Sequence, residues 1–513
     1  MVRSRTSPPS PLRRALGRLL AVGLVLALGV GGGVAALFVW SFTAADQEVR
    51  FTARNPLPIP PLAASRVVEG RRVFALEMRE GSHDFGRGAG PVPTYGVNGD
   101  HLGPTVRVRD GEEIGFQVTN RLPETSTLHW HGMELPAAMD GGPHQPVHPG
   151  ETWRPAWRVG QPAATLWYHP HLHGSTAAHV YRGLAGMLLV DDGEDERRGL
   201  PREYGVDDVP VVVQDKSFRP GRLHDSPAFF SSGGFLGDEV VVNGMVAPYL
   251  EATTERVRLR VLNASNARVW NLGLADGDPV TVVGTDGGLL DRPVTVDRVP
   301  LSPGERVELL VTLEPGEQVM VDSAPYRVGS DALQQRWAGG DDAFDVLELR
   351  AAARLAPAPE AAVAPPRATP VEEAGPEPAR VRRFELTTPL INGRRTDMGR
   401  VDEVVTVGEA EVWEVVNRDG APHNFHVHGV QFRVTDVDGA SPPPYLRGRK
   451  DTVLLPGGTT VRLLVRFEEH TDPETPYMFH CHLLQHEDQG MMGQLVVVAE
   501  GQQAAERIEH REH

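Results

Sequence analysis

The sequence predicts an all-β protein of three consecutive β-sandwich domains of Greek-key type. Glycine (55) and proline (44) make up roughly a fifth of the 513 residues, against about 12% in an average chain, which favours many short strands and turns over long helices. Val, Thr and Phe alternate with polar residues at period two, as in strands with one buried face. One plan also occurs three times. It begins with an Asn-Gly turn (Asn98-Gly99, Asn243-Gly244, Asn392-Gly393) and runs through an alternating stretch to a second asparagine 22, 20 and 25 residues later (Asn120, Asn263, Asn417). It then reaches a Pro-Gly before another strand (Pro149-Gly150, Pro303-Gly304, Pro456-Gly457). A hydrophobic content of 40% suffices for packed cores. The net charge of −17 leaves no basic footprint, so no nucleic-acid partner is expected.

Residues 1–45 read as an export signal or transmembrane anchor. Arg3, Arg5, Arg13, Arg14 and Arg18 precede an uncharged run from Leu19 to Trp40. The run is longer than a signal's usual apolar core of about 7–15 residues and near the about 20 that span a bilayer, which favours a retained anchor over a cleaved signal. The body is therefore expected outside the cytoplasmic membrane, anchored by residues 19–40 and facing outward, or secreted. The three sandwiches are placed at 46–192, 205–350 and 381–499. Residues 351–380, mostly Ala and Pro, read as a linker, and 500–513 as a polar C-terminal tail.

The chain has one cysteine, Cys481, and 20 histidines. No intrachain disulfide can form, and a lone thiol among histidines points to metal ligation or reactivity. Four clusters stand out: His129-Trp130-His131, His169-Pro170-His171-Leu172-His173, His423-Asn424-Phe425-His426-Val427-His428, and His480-Cys481-His482 with His486. Two lie in the first repeat and two in the third. The middle repeat has Asn266-Ala267-Arg268-Val269-Trp270 in their place. Side chains two apart on a strand share a face, so both imidazoles of a His-x-His can reach one metal site. In His480-Cys481-His482 the thiol faces away from the imidazoles, so Cys481 serves a different metal, joined to its neighbours by one short stretch of backbone. A thiolate, two imidazoles (His423, His486) and a thioether (Met491) form the donor set of blue copper. A structural zinc site, closed and isolated, would not need the other histidines.

These four clusters, in this order, resemble the copper-binding motifs of the multicopper oxidases, the family of laccases, bilirubin oxidases and bacterial cuprous oxidases. The resemblance spans the whole exported body. It implies that the sandwiches are cupredoxin-like and that four copper ions are bound. His423, Cys481, His486 and Met491 would hold type 1 copper, with the family's ten-residue spacing from the cysteine selecting Met491 over Met492. His129 and His426 would hold type 2 copper, and His131, His169, His171, His428, His480 and His482 the type 3 pair. Some relatives have lost their copper and act as non-enzymatic cell-division or scaffold proteins, but no ligand position is missing here. The extra type 3 ligands and the third repeat exclude a two-domain copper nitrite reductase. The trinuclear cluster is implied to lie between the first and third domains, so a monomer suffices.

The implied reaction is one-electron oxidation of a small reducing substrate (a phenol, an aromatic amine or Cu(I)) coupled to four-electron reduction of dioxygen to water. Asp140 and Glu487 match positions tied to proton delivery in bacterial relatives; otherwise each caps a turn or orients a histidine. With 11 methionines and no methionine-rich segment, a laccase-like oxidase is favoured over a cuprous oxidase for copper tolerance. A non-catalytic copper-binding scaffold is the third reading. Asp419 reads as a turn residue in Asn417-Arg418-Asp419-Gly420, at a place where a cuprous oxidase could bind its cation. His173 is expected in a structural or hydrogen-bonding role, and His144, His148 and His179 as surface or supporting residues.

Overall fold

A computed structural model describes residues 31–33, 47–226, 233–358, 378 and 380–508. Residues 47–513 form one compact unit. Most of the expected anchor at 19–40 lies outside the described residues, as do most of the linker and residues 509–513 of the tail. No described helix is long and apolar enough to cross a membrane.

The strands form six sheets that pair face to face as three sandwiches, each around its own core. In the first, Phe74, Met78, Phe116, Trp130, Leu166, Tyr168 and Leu188 interdigitate between the sheets. Each large apolar side chain buried this way contributes about 1.5–3 kcal/mol. The third sandwich repeats the arrangement with Phe384, Trp413, Phe425, Leu463 and Phe479.

The paired asparagines explain why the sequence repeats. Asn98, Asn243 and Asn392 sit at positive φ (57°, 50° and 51°), a conformation asparagine tolerates in tight hairpin turns. Each amide spans an adjacent strand in the same way. Its Nδ2 donates to the carbonyl of Ala75, Pro210 or Arg383, and its Oδ1 accepts from the N–H two residues on. The second asparagines are buried and equally alike. Asn120, Asn263 and Asn417 donate to the carbonyls of Val147, Leu301 and Leu455, and each accepts from the N–H two residues ahead.

The ligand-bearing strands occupy matching places. In the first sandwich, strand His129–His131 lies antiparallel to Ala164–His169, with His129 opposite His169. In the third, His423–Val427 lies antiparallel to Asp472–His480, with His426 opposite His480. The second sandwich keeps the corresponding strand, Trp270–Leu274, and fills its first positions with Trp270 and Asn271.

Three boundaries differ from expectation. Strands Glu48–Val49 and Asn55–Pro56 pair with strands of the second sandwich, so the segment after residue 46 enters that sandwich's sheet before the first begins. Strand Ala343–Ala356 runs six residues into the expected linker, pairing Ala351 with Ala252; alanine side chains fit a sheet whether or not the pattern alternates. The expected polar tail packs down through Ile508, which is buried against Val496 and Val498.

Replacing Asn263 with Ala strands two buried carbonyls and one N–H. We expect Asn263→Ala to cost about 3 kcal/mol in urea denaturation; a loss under about 1 kcal/mol would show that the corner holds without the amide.

Candidate metal centre

All twelve ligand candidates are at most 2% exposed. They converge in two places. His423, Cys481 and His486 form one group, with the Cys481 Sγ 3.5 Å from His423 Nδ1 and 3.7 Å from His486 Nδ1. Met491 closes the loop around it: its carbonyl accepts from Cys481 N–H, its N–H donates to the His486 carbonyl, and its side chain lies in the same core cluster as Cys481. Met492 is buried outside that cluster. Asn424 pins the thiol's other side, accepting from His482 N–H at 2.5 Å.

The second place lies at the seam of the first and third sandwiches. His131, His169 and His482 form one triad, and His171, His428 and His480 another. His129 and His426 stand beside them with Nε2 buried and without a hydrogen-bond partner. The two imidazoles of His169/His171 and of His480/His482 thus reach the same cluster but enter different triads, a finer division than strand alternation predicts.

The backs of six of these eight rings are tied to acceptors. His129 and His426 donate from Nδ1 to the carbonyls of Asp140 (3.0 Å) and Asp451 (2.8 Å). His169 and His480 donate to the carbonyls of Pro170 and Cys481, and His428 to the Asp140 carboxylate at 2.7 Å. An imidazole that donates from one nitrogen carries a lone pair on the other. Those lone pairs face one another: His480 Nε2 lies 3.2 Å from His428 Nε2, and His169 Nε2 lies 3.3 Å from His131 Nδ1; His171 Nε2 lies 3.0 Å from His480 Nε2. Such an arrangement is relieved by a cation. Protons are a poor choice, because burial holds His169, His171, His426, His428 and His480 far below the ordinary imidazole range and neighbouring rings push the same way. Imidazole and thiolate donors together fit copper.

Asp140 is buried and joins His129 of the first sandwich to His428 of the third. Glu487 is fully buried, 3.3 Å from His171 Nδ1 and 3.2 Å from His480 Nδ1. Burial, reinforced by Asp488, pushes its carboxyl well above the usual range. Asp419 is more than the turn residue its sequence suggests. Its carboxylate accepts from His423 Nε2 at 2.9 Å and from the Thr388 N–H and hydroxyl. Burial would raise its pKa, but those bonds bring it down to about 2. His173 is exposed, outside both groups. His179 is buried, bonded to Ser126 and paired with Glu124; His144 bonds Gln494, and His148 is exposed beside Thr125.

Sequence reasoning missed Asp451, Arg306, Asn424 and Trp167. Trp167 stacks on His169 with ring centres 4.0 Å apart. Asp451 accepts from His131 Nε2 at 2.9 Å and is held by Arg306. Charged residues in strands and turns ordinarily read as solvated, so only Trp167, two residues before His169, carried a local signal.

Burial by itself would raise the Cys481 thiol, but His423 and His486 bring it down from 9.0 to about 5. Burial also disfavours a charged His423, yet Asp419 and Cys481 lift it from 6.5 to about 9. Cys481 loses its stabilisation as pH falls toward 5, and His423 loses its own as pH rises toward 9. Between pH 6.5 and 9 the folded and unfolded pair bind equal numbers of protons, so stability is flat there. Below 6.5 the unfolded His423 gains a proton that the folded pair does not. Metal-free protein should therefore lose about 2 kcal/mol between pH 6.5 and 5 relative to Cys481→Ser. Parallel pH profiles in urea denaturation would refute the ion pair.

Comparison with known proteins agrees with this geometry. Models described as multicopper oxidase match residues 83–195, 229–336 and 369–501. The chain is 34% identical over 456 residues to the multicopper oxidase mco of Staphylococcus epidermidis, covering 86% of this chain and 93% of that protein. It is 38% identical over 451 residues to the cell division protein FtsP of Escherichia coli (strain K12), covering 86% and 93%. Among solved structures, the bacterial laccase-like multicopper oxidase CueO from Ochrobactrum sp. superposes with a TM-score of 0.77 at 36% identity, covering 86% of this chain and all (100%) of that one.

Proposed function

The chain belongs to the multicopper oxidase family, and on that premise we propose that it is a laccase-like oxidase acting outside the cytoplasmic membrane on phenols or similar reducing substrates. The family's chemistry is that of a copper oxidoreductase. One observation supports an oxidase over a scaffold: the implied histidine and cysteine ligands are buried and gathered into one thiolate group and two imidazole triads with a flanking pair. Copper held there would supply the family's redox chemistry, in which four one-electron oxidations of the substrate are coupled to reduction of one dioxygen, with four protons, to two waters.

The chain's own residues account for the rest. His423, Cys481, His486 and Met491 would hold type 1 copper, His129 and His426 type 2, and the two triads the type 3 pair. Cys481 is bonded through the backbone to both His480 and His482, so the thiolate group and the two triads share one covalent path. Asp419 holds His423 by Nε2 and keeps part of its carboxylate in solvent (23% exposed), at the face where a donor would approach. Asp140 accepts from His428 Nδ1 and Glu487 lies against His171 and His480, contacts that support a role for both carboxyl groups in passing the protons consumed in reducing oxygen.

Oxygen uptake by the copper-loaded protein, with a simple phenol and cuprous ion in parallel, tests the reading. Faster uptake with the phenol is expected. Faster uptake with cuprous ion would make the protein a copper-tolerance oxidase, with Asp419 beside the donor. The 38% identity to proteins named cell division protein FtsP favours a second reading, a non-catalytic scaffold, which uptake with neither donor would support. Asp140→Asn should leave the blue thiolate–copper band intact and slow reoxidation by oxygen about 100-fold; unchanged reoxidation would remove Asp140 from the proton path.

A further inference from the structure

The second sandwich supplies none of the candidate ligands, yet one of its side chains reaches the histidine cluster. Arg306 begins strand Arg306–Thr312 and is fully buried. Its five N–H donors are all used, and they bind three sandwiches. Nε donates to the carbonyl of Thr165, on the first-sandwich strand that ends at His169 (2.8 Å). One hydrogen each of Nη1 and Nη2 goes to the second sandwich's own Gly304 and Asp286 carbonyls. The remaining two form a fork onto the Asp451 carboxylate of the third sandwich, at 2.7 and 2.6 Å.

Asp451 passes this fixation on. Its Oδ1 accepts from His131 Nε2 at 2.9 Å, its Oδ2 from Gln431 at 2.8 Å, and its main-chain carbonyl from His426 Nδ1 at 2.8 Å. A carboxylate gripped by a guanidinium fork can only accept, so His131 must carry its proton on Nε2 and turn Nδ1 toward the cluster. Among the described rings of the seam cluster, His131 is tied back through Nε2. His129, His169, His426, His428 and His480 are all tied back through Nδ1.

We propose that Arg306 is a positioning residue for the copper cluster, acting through Asp451 to set which nitrogen of His131 faces the metal. The ligand-free sandwich is thereby a working part of the site. This rests on the oxidase reading above. Lys450 provides an internal contrast. It precedes Asp451 and crosses the same seam to Asp286 and Glu305 (2.9 and 3.1 Å), without touching a candidate ligand.

The test uses the full chain with copper. Arg306→Lys keeps a cation but cannot form the fork, Arg306→Met removes both, and Lys450→Met breaks the two neighbouring ion pairs to Asp286 and Glu305. Copper lost to a chelator is followed by metal-to-chain ratio, by the type 2 paramagnetic signal and by the blue band. Both Arg306 variants should release cluster copper about 10- to 100-fold more readily while the blue band stays at wild-type intensity. Lys450→Met should melt at lower temperature and hold its cluster copper as wild type does. In metal-free, histidine-labelled protein, nitrogen NMR should show His131 as the Nε2–H tautomer in wild type and as a mixture in Arg306→Lys, a readout that also reports whether the variant is folded. Unchanged copper retention in folded Arg306→Lys, or equal loss in Lys450→Met, would overturn the inference. A wild-type chain whose histidine cluster takes up no copper overturns the oxidase reading first, before any substitution is made.

Discussion

Lone pairs of uncharged imidazoles meet at the seam between the first and third sandwiches, and the molecule is organised around holding them there. Nitrogens 3.2 to 3.3 Å apart with no hydrogen between them repel, so the rings cannot be kept in place by attraction for one another. They are held from behind. Main-chain carbonyls of Asp140, Pro170, Asp451 and Cys481, and the carboxylates of Asp140 and Asp451, accept a hydrogen bond from the far nitrogen of each ring they bind. Rigid antiparallel strands then fix the angle at which each ring enters. A cation is the group that turns this repulsion into binding, and burial keeps protons from taking its place.

That constraint explains how much charge the interior carries. Arg258, Arg260, Arg306, Glu308, Asp208 and Asp451 are all at most 1% exposed. Buried ion pairs are costly to desolvate and seldom add net stability, but once formed they tolerate one geometry only. Here Arg258–Glu308 and Arg260–Asp208 lock strands of the second sandwich together, while Arg306–Asp451 joins that sandwich to the third. Arg260 and Glu308 bond the hydroxyl of Thr165 while Arg306 bonds its carbonyl, so a first-sandwich strand that carries His169 is gripped from both sides. An apolar seam could slide by a fraction of an ångström at small cost. A lattice of bidentate charges cannot, and copper ligation is sensitive to displacements of that size.

The repeats were legible because they rest on local chemistry. An asparagine at positive φ beside glycine specifies a hairpin, and a second asparagine bridging its own turn specifies a corner. Both occur three times with the same bonds. Histidine spacing was legible for the same reason, since alternation along an extended segment, here the end of strand Asp472–His480 and the two residues after it, sends Cys481 and its two neighbours to different groups without reference to distant residues. Asp419 was harder: in sequence it is one polar residue of a turn, and its bond to His423 depends on how strand His423–Val427 leaves that turn. Residues 48–56 were assigned to the first sandwich by proximity in sequence, yet their edges complete the second, because an unpaired strand edge takes whichever partner the chain path offers.

By itself, the sequence determined the fold class and the threefold plan, and its motifs, together with the family they resemble, named the candidate ligands and the separation of the thiolate from the imidazoles, all of which rest on short-range spacings. Only the tertiary structure decided which imidazoles share a triad, which nitrogen of each ring points inward, and that Arg306 and Asp451 belong to the site. Those choices are made across interfaces between residues as far apart as His131 and Asp451, where direction and distance come from packing and no local pattern encodes them.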